Sequence, residues 1–305
     1  MLRVLSVCGT CLLLLLAATS SPARAQDQRS PLHDSRARPH GPVGEPGRLA
    51  LLERAMDGHA RGDARRALAL YDEVLRSEPA NRVALLNRGI VLSTHLSEPD
   101  RAIADFDRVL ALAPGNIDAL VFRGDAHMHR AAYRQALADF DRAVASAPTS
   151  AQVRVLRGLA HAMLGDVAQA SIDYGSAVAL DDRNVDALVN RAAIMVGKGD
   201  SDAGLRDLDA ALAIEPRNAL ALYNRGYIHF SRHQHEAAIR DYSAAIDLDP
   251  QFGWAYLNRC LTRAVAGRDL GRALADCDRA RALLPNAPQV RTLSPRIARL
   301  IAATN

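Results

Sequence analysis

Aromatic side chains are scarce in this sequence: five Phe, seven Tyr and one Trp in 305 residues. Stretches of alternating β-branched and polar residues are absent, so nothing reads as strand. The single-copy motifs of catalysis are missing too: no Gly-x-Ser-x-Gly, no glycine-rich phosphate loop and no His-Glu-x-x-His. Carboxylates are numerous but recur at regular intervals, as a structural role predicts and a catalytic pair does not. No enzyme is expected. The net charge of +4 is small and evenly spread, which excludes the basic patch of a nucleic-acid binder. Neither cofactor nor metal is expected. Of ten histidines, His127 with His129 and His233 with His235 form His-x-His pairs, but no Cys or carboxylate cluster joins them at zinc-ligand spacing. His233 and His235 are expected in a solvated turn.

Cysteine is also rare, with four residues, two of them in the one long apolar run. Arg3 supplies a positive start, Cys11 to Ala18 an apolar stretch, and Ala23-Arg24-Ala25 a small-x-small site before Gln26. This is the pattern of a secretory signal over residues 1–25. The stretch is short for a membrane span, so no transmembrane segment is expected after cleavage. Cys8 precedes the leucines, which fits lipoprotein processing poorly. A periplasmic or secreted chain follows, keeping only Cys260 and Cys277, an even pair in a disulfide-permissive compartment. Residues 26–47 carry Pro31, Pro39, Pro42 and Pro46 with no apolar period and read as a disordered tether.

From residue 48 the chain repeats itself. Small residues recur at Ala67, Ala102, Ala136, Ala170, Gly204, Ala238 and Ala273, spaced by 34 or 35. Four residues after each stand Tyr71, Phe106, Phe140, Tyr174, Leu208, Tyr242 and, in the seventh repeat, Cys277. Three further on come Val74, Val109, Ala143, Ala177, Ala211, Ala245 and Ala280, completing one helix face at i, i+4, i+7. A proline follows each time at Pro79, Pro114, Pro148, Pro216, Pro250 and Pro285, with Asp182 the exception. Upstream lies another small residue: Ala55, Gly89, Gly124, Gly158, Ala192, Gly226 and Cys260. Small residues let two helices approach, and proline ends the second. A hairpin of this kind has a face it buries only by stacking on neighbours.

This period and these residues resemble the tetratricopeptide repeat, a 34-residue helix–turn–helix. The resemblance covers residues 48–285 and implies an all-α, right-handed superhelical solenoid of seven hairpins. Gly58 weakens the match of the first repeat, and Asp182 and Gly204 are expected to loosen the array locally. Ser294-Pro295, with Ile297, Leu300 and Ile301 on one face, predicts a capping helix within residues 286–305.

Counting each repeat from one, Arg holds position 7 in all seven: Arg54, Arg88, Arg123, Arg157, Arg191, Arg225 and Arg259. Asp holds position 23 in six: Asp105, Asp139, Asp173, Asp207, Asp241 and Asp276. The matched counts predict an internal ladder of ion pairs ahead of an anion-binding stripe. His127, His161 and His229 fall at position 11, expected to face the hairpin core.

Seven of the thirteen aromatics lie between residues 223 and 256. In the family this resembles, positions 2, 5, 9 and 12 of the first helix line the concave surface. Here they place Leu220, Tyr223, Tyr227 and Phe230 of repeat six, and Trp254, Leu257 and Leu261 of repeat seven, as anchors for a protein partner. Asn87, Asn190, Asn224 and Asn258 fall at position 6, suited to backbone groups or a bound peptide's main chain. The flanks needed for a chaperone-type carboxylate clamp are absent: Leu52 and Met56 precede Asn87, and Asp118 and Phe122 follow it. The resemblance thus implies a non-enzymatic scaffold that holds an extended peptide or helix, leaving its oligomeric state open. The alternatives are an accessory subunit of an envelope machine docked by its convex face and, from another class, an enzyme acting on peptidoglycan. Cys260 and Cys277 sit at positions 8 and 24 of one hairpin, either bridged or buried as thiols.

Overall fold

Apolar spacing of i, i+4, i+7 makes helices, and breakers between them make hairpins. The computed structural model describes residues 46–267 and 269–288 and positions 290, 291, 295 and 299. Among these, fourteen helices follow one another in seven hairpins. The helices form two compact units, divided between Leu180 and Asp181. The division falls at the one repeat junction where Asp182 replaces proline.

The first unit holds four hairpins: α1 (Pro46–Ala60) with α2 (Ala64–Ser77), α3 (Arg82–Thr94) with α4 (Pro99–Leu112), α5 (Ile117–His129) with α6 (Tyr133–Ser146), and α7 (Ala151–Met163) with α8 (Val167–Leu180). Each second helix packs on the first helix of the next hairpin, α2 on α3, α4 on α5 and α6 on α7. A shared core of Leu52, Tyr71, Leu85, Val109, Leu120 and Val153 runs through this stack.

The second unit holds three: α9 (Val185–Gly197) with α10 (Ser201–Ile214), α11 (Ala219–Ser231) with α12 (His235–Leu248), and α13 (Gly253–Val265) with α14 (Leu270–Leu283). Here α10 packs on α11 and α12 on α13. At its end Leu257, Ala280 and Val290 form a buried cluster against which Trp254 and Leu284 pack.

Side chains two residues after the proline position start five of the first helices. The side-chain oxygens of Asn81, Asn116, Ser150, Asn184 and Asn218 accept hydrogen bonds from the N–H groups of Ala84, Ala119, Val153, Ala187 and Ala221. These caps satisfy donors that the first turn leaves unpaired. Within six hairpins the turn passes through one residue in the left-handed region, Gly62, Ser97, Ala131, Gly165, Gly199 or His233, and in the last through two, Gly267 and Asp269. Glycine adopts that conformation without steric cost, whereas Ala131 and His233 hold it at a cost of about 1 kcal/mol.

Two expectations are corrected. Pro46 does not belong to the tether: it opens α1, where a missing N–H costs nothing. Gly204 does not loosen its hairpin. It is buried, and a Cβ there would lie 2.9 Å from Val196 Cγ2 and 3.1 Å from the Ala192 carbonyl oxygen. At Gly58 an added Cβ would stand in ordinary contact with Ala67, at 3.7 Å. The signal (residues 1–25), residues 26–45 of the tether, and Ile297, Leu300 and Ile301 of the cap lie outside the described residues. Of the C-terminal segment, Pro295 and Arg299 are helical and Val290 is buried.

Candidate functional site

The arginine of position 7 and the aspartate of position 23 meet in six hairpins. Arg88 with Asp105, Arg123 with Asp139, Arg157 with Asp173, Arg191 with Asp207, Arg225 with Asp241 and Arg259 with Asp276 each form a two-pronged Nε/Nη2 pair at 2.5–2.9 Å. The six aspartates are buried and the arginines half-buried, so these are not the exposed pairs that contribute little. The remaining nitrogen, Nη1, reaches back to the preceding hairpin. It binds Asp72 from Arg88, Asp107 from Arg123, Asp141 from Arg157, Asp209 from Arg225 and the Ser243 hydroxyl from Arg259. The sequence reading missed this second acceptor, although its residues recur two places after position 23. Hydrogen bonding to Asp139 raises the Arg123 pKa above its ordinary value, and Asp105 and Asp241 do the same for Arg88 and Arg225. Each guanidinium stays charged, clamped by neighbours and unavailable to an external anion. Arg54, whose hairpin has Leu70 at position 23, is exposed.

Position 11, expected to face the hairpin core, faces this ladder. His161 Nε2 lies 4.0 Å from Asp173, His229 Nε2 lies 3.7 Å from Asp241, and in the last repeat Arg263 bonds Asp276 at 2.5 Å. Burial lowers the His127 pKa, against the opposing attraction of Asp139. Its neighbour His129 is raised by a hydrogen bond to Asp125. His233 is exposed as expected, but His235 is not solvated: it opens α12 half-buried, with Nδ1 out of solvent and its ring 6.0 Å from that of Phe230. Among the described residues no three His, Cys, Asp or Glu side chains gather to hold a metal.

The eight residues expected to bind a partner divide by burial. Tyr223, Asn224 and Leu257 are buried, while Tyr227, Phe230, Trp254, Asn258 and Leu261 are half-buried. Tyr223 packs inward, its ring 4.8 Å from that of Phe252 and 5.8 Å from that of Tyr242. Its hydroxyl accepts from Asn258 Nδ2 at 2.9 Å, tying α13 to α11. Leu257 and Trp254 are drawn into the terminal cluster with Val290, which lies beyond the last described hairpin. Tyr227, Phe230 and Leu261 remain as large, partly accessible side chains on the first-helix face. One helical turn before Tyr227 stands Asn224, whose amide oxygen and nitrogen are both buried with no hydrogen-bond partner among the described residues, and the Asn190 oxygen is alike. Asn87 instead bonds the Val83 carbonyl of its own helix. Cys260 and Cys277 are joined in a disulfide, their Cα atoms 5.4 Å apart.

Profiles of the tetratricopeptide repeat match residues 52–117, 123–187 and 219–252, together more than half of the chain. The chain belongs to the tetratricopeptide repeat family. Such a repeat protein is a scaffold for protein–protein interaction. Solved structures share the fold at low identity. A tetratricopeptide repeat protein from Parabacteroides merdae is similar at 19% identity and a TM-score of 0.66, over 83% of this chain and 100% of that one. The Cut9–Hcn1 hetero-tetramer of the APC/C is similar at 17% identity and a TM-score of 0.71, over 82% of this chain but only 48% of that one. PilF of Pseudomonas aeruginosa is similar at 18% identity and a TM-score of 0.61, over 71% of this chain and 96% of that one. No curated protein matches this repeat protein by sequence. No helix among its described residues is long and apolar enough to cross a membrane.

Proposed function

We propose that this chain is an exported bacterial adaptor whose first-helix face in the second unit holds an extended peptide or a partner helix. The carrying observation is that first helices of the second unit carry the half-buried large side chains Tyr227, Phe230 and Leu261 together with the buried, unpaired amide of Asn224, one helical turn before Tyr227. Aromatic and aliphatic side chains supply area, and an amide offers one donor and one acceptor, the pair a peptide group requires. An unpaired buried amide costs about 1–3 kcal/mol, which a side-chain rotation to meet a ligand's main chain would recover. Trp254, committed to the terminal cluster, supports the last hairpin and is set aside as an anchor. Export rests on the N-terminal signal and agrees with a disulfide, which persists in oxidising compartments.

Two measurements test this reading. Mature protein recovered from a bacterial host has Gln26 as its first residue; a chain retaining residues 1–25 in the cytosol overturns export. A partner captured from envelope extract and then purified loses affinity at least tenfold for Tyr227→Ala/Phe230→Ala, which keeps the wild-type melting temperature. Unchanged affinity overturns the site.

A further inference from the structure

In four hairpins the seam between the two helices is closed by a ring lying on a glycine. Phe106 lies on Gly89, Phe140 on Gly124, Tyr174 on Gly158 and Tyr242 on Gly226, each ring so near that a Cβ on the glycine would come within 2.6–2.9 Å of it. All four rings are fully buried. The last hairpin has neither partner. At the same two positions stand Cys260 and Cys277, both fully buried and bonded to each other. The cluster around them is small, with Ala273 as its third member and Ala264 and Leu274 packed on it. Two thiols bury far less apolar surface than a ring, so the seam without its bond is underpacked.

We propose that the disulfide replaces the glycine–aromatic lock, so that the order of the last hairpin depends on the oxidation state of Cys260 and Cys277. Helix α14 carries Asp276, the acceptor of both Arg259 and Arg263, and Ala280, which covers Leu257. Helix α13 carries Leu261 and Asn258, the latter bonded to Tyr223 of the hairpin before. Reduction therefore releases the second helix and slackens one side of the proposed binding face. The chemistry is exchange with a dithiol. One dithiol sulfur attacks, the Cys260–Cys277 bond breaks, the second dithiol sulfur closes a cyclic disulfide, and its two protons end on the cysteines. Both sulfurs are buried, so attack proceeds through the frayed hairpin, and the reduced form is the one that stays frayed. The effect on partner binding rests on the function proposed above; the effect on hairpin order does not.

Hydrogen exchange of the full chain, without partner, with and without dithiothreitol, tests the lock. On reduction, amides of Leu270–Leu283 exchange at least tenfold faster, while those of Ile117–Ser146 do not change. The variant Cys260→Gly/Cys277→Tyr, which installs the lock of those four hairpins, exchanges slowly in both conditions. Cys260→Ala/Cys277→Ala exchanges fast in both. Equal protection of Leu270–Leu283 before and after reduction overturns the proposal. So does loss of protection across Ile117–Ser146, which would make the effect global. A Gly/Tyr variant as unprotected as the Ala/Ala variant overturns the claim that the bond stands in for the ring.

Discussion

Gly124 and Phe140 are fitted so closely that a single added carbon on the glycine would lie 2.6 Å from Phe140 Cε1. The ring is fully buried and has nowhere to retreat. Gly124→Ala therefore destabilises the protein by about 1–3 kcal/mol through overpacking, despite alanine's better helix propensity. Gly58→Ala, where the nearest atoms stand at 3.7 Å, stabilises by about 0.5–1 kcal/mol. Urea unfolding of both variants checks the opposite signs; two shifts in the same direction contradict the assignment of the seam.

The inner and outer carboxylates of one arginine differ in value. Asp173, with its side chain 2% exposed, takes both Nε and Nη2 of Arg157, whereas Asp141, 54% exposed, takes only Nη1. Asp173→Ala leaves a half-buried guanidinium short of its main partner and costs about 3 kcal/mol. Asp141→Ala costs about 0–1 kcal/mol. Thermal melts at fixed salt separate the two, and the Asp141 effect alone shrinks as salt is raised.

Two histidines of α5 respond to acid in opposite senses. Burial lowers the folded-state pKa of His127 below 6.5, so the unfolded chain takes up its proton first and stability falls as pH drops below that value. His129 is raised by Asp125, so its contribution is present below 6.5 and is lost as pH rises through its folded pKa. Half-exposed His129 is screened by solvent and contributes the smaller effect. NMR titration finds the His127 ring protonating at lower pH than the His129 ring. His127→Gln loses less stability between pH 7.5 and 5 than the parent chain.

Much of this was legible in the sequence because packing repeats and chemistry here does not. Seven copies of the small residues, six of them with a large residue four places on, mark out the hairpins. Six Arg–Asp matches fix the ladder, because a buried charge requires its counter-charge at the same interval. The seam was legible as spacing, and Gly124 opposite Phe140 is its direct consequence. The caps Asn81, Asn116, Ser150, Asn184 and Asn218 were equally regular, two residues past the proline position, and were overlooked against the apolar pattern. What sequence did not reveal depends on ends and three-dimensional neighbours. Trp254 and Leu257 occupy groove positions by number, yet Val290, beyond the last described hairpin, packs against them. Tyr223 sits at a groove position by number and turns inward, because Phe252 replaces a capping residue and offers its ring.

The third nitrogen of five ladder arginines gives the stacking a direction. Within each unit a hairpin takes an acceptor from the one made before it, as Arg123 does from Asp107 and Arg225 from Asp209. A ribosome delivers these parts in order, so the aspartate is already in place when the arginine emerges. Deletion from the two sides is therefore unequal. Removing a leading hairpin strips a ligand from a half-buried cation in its follower, whereas removing a trailing one only returns an exposed carboxylate to water.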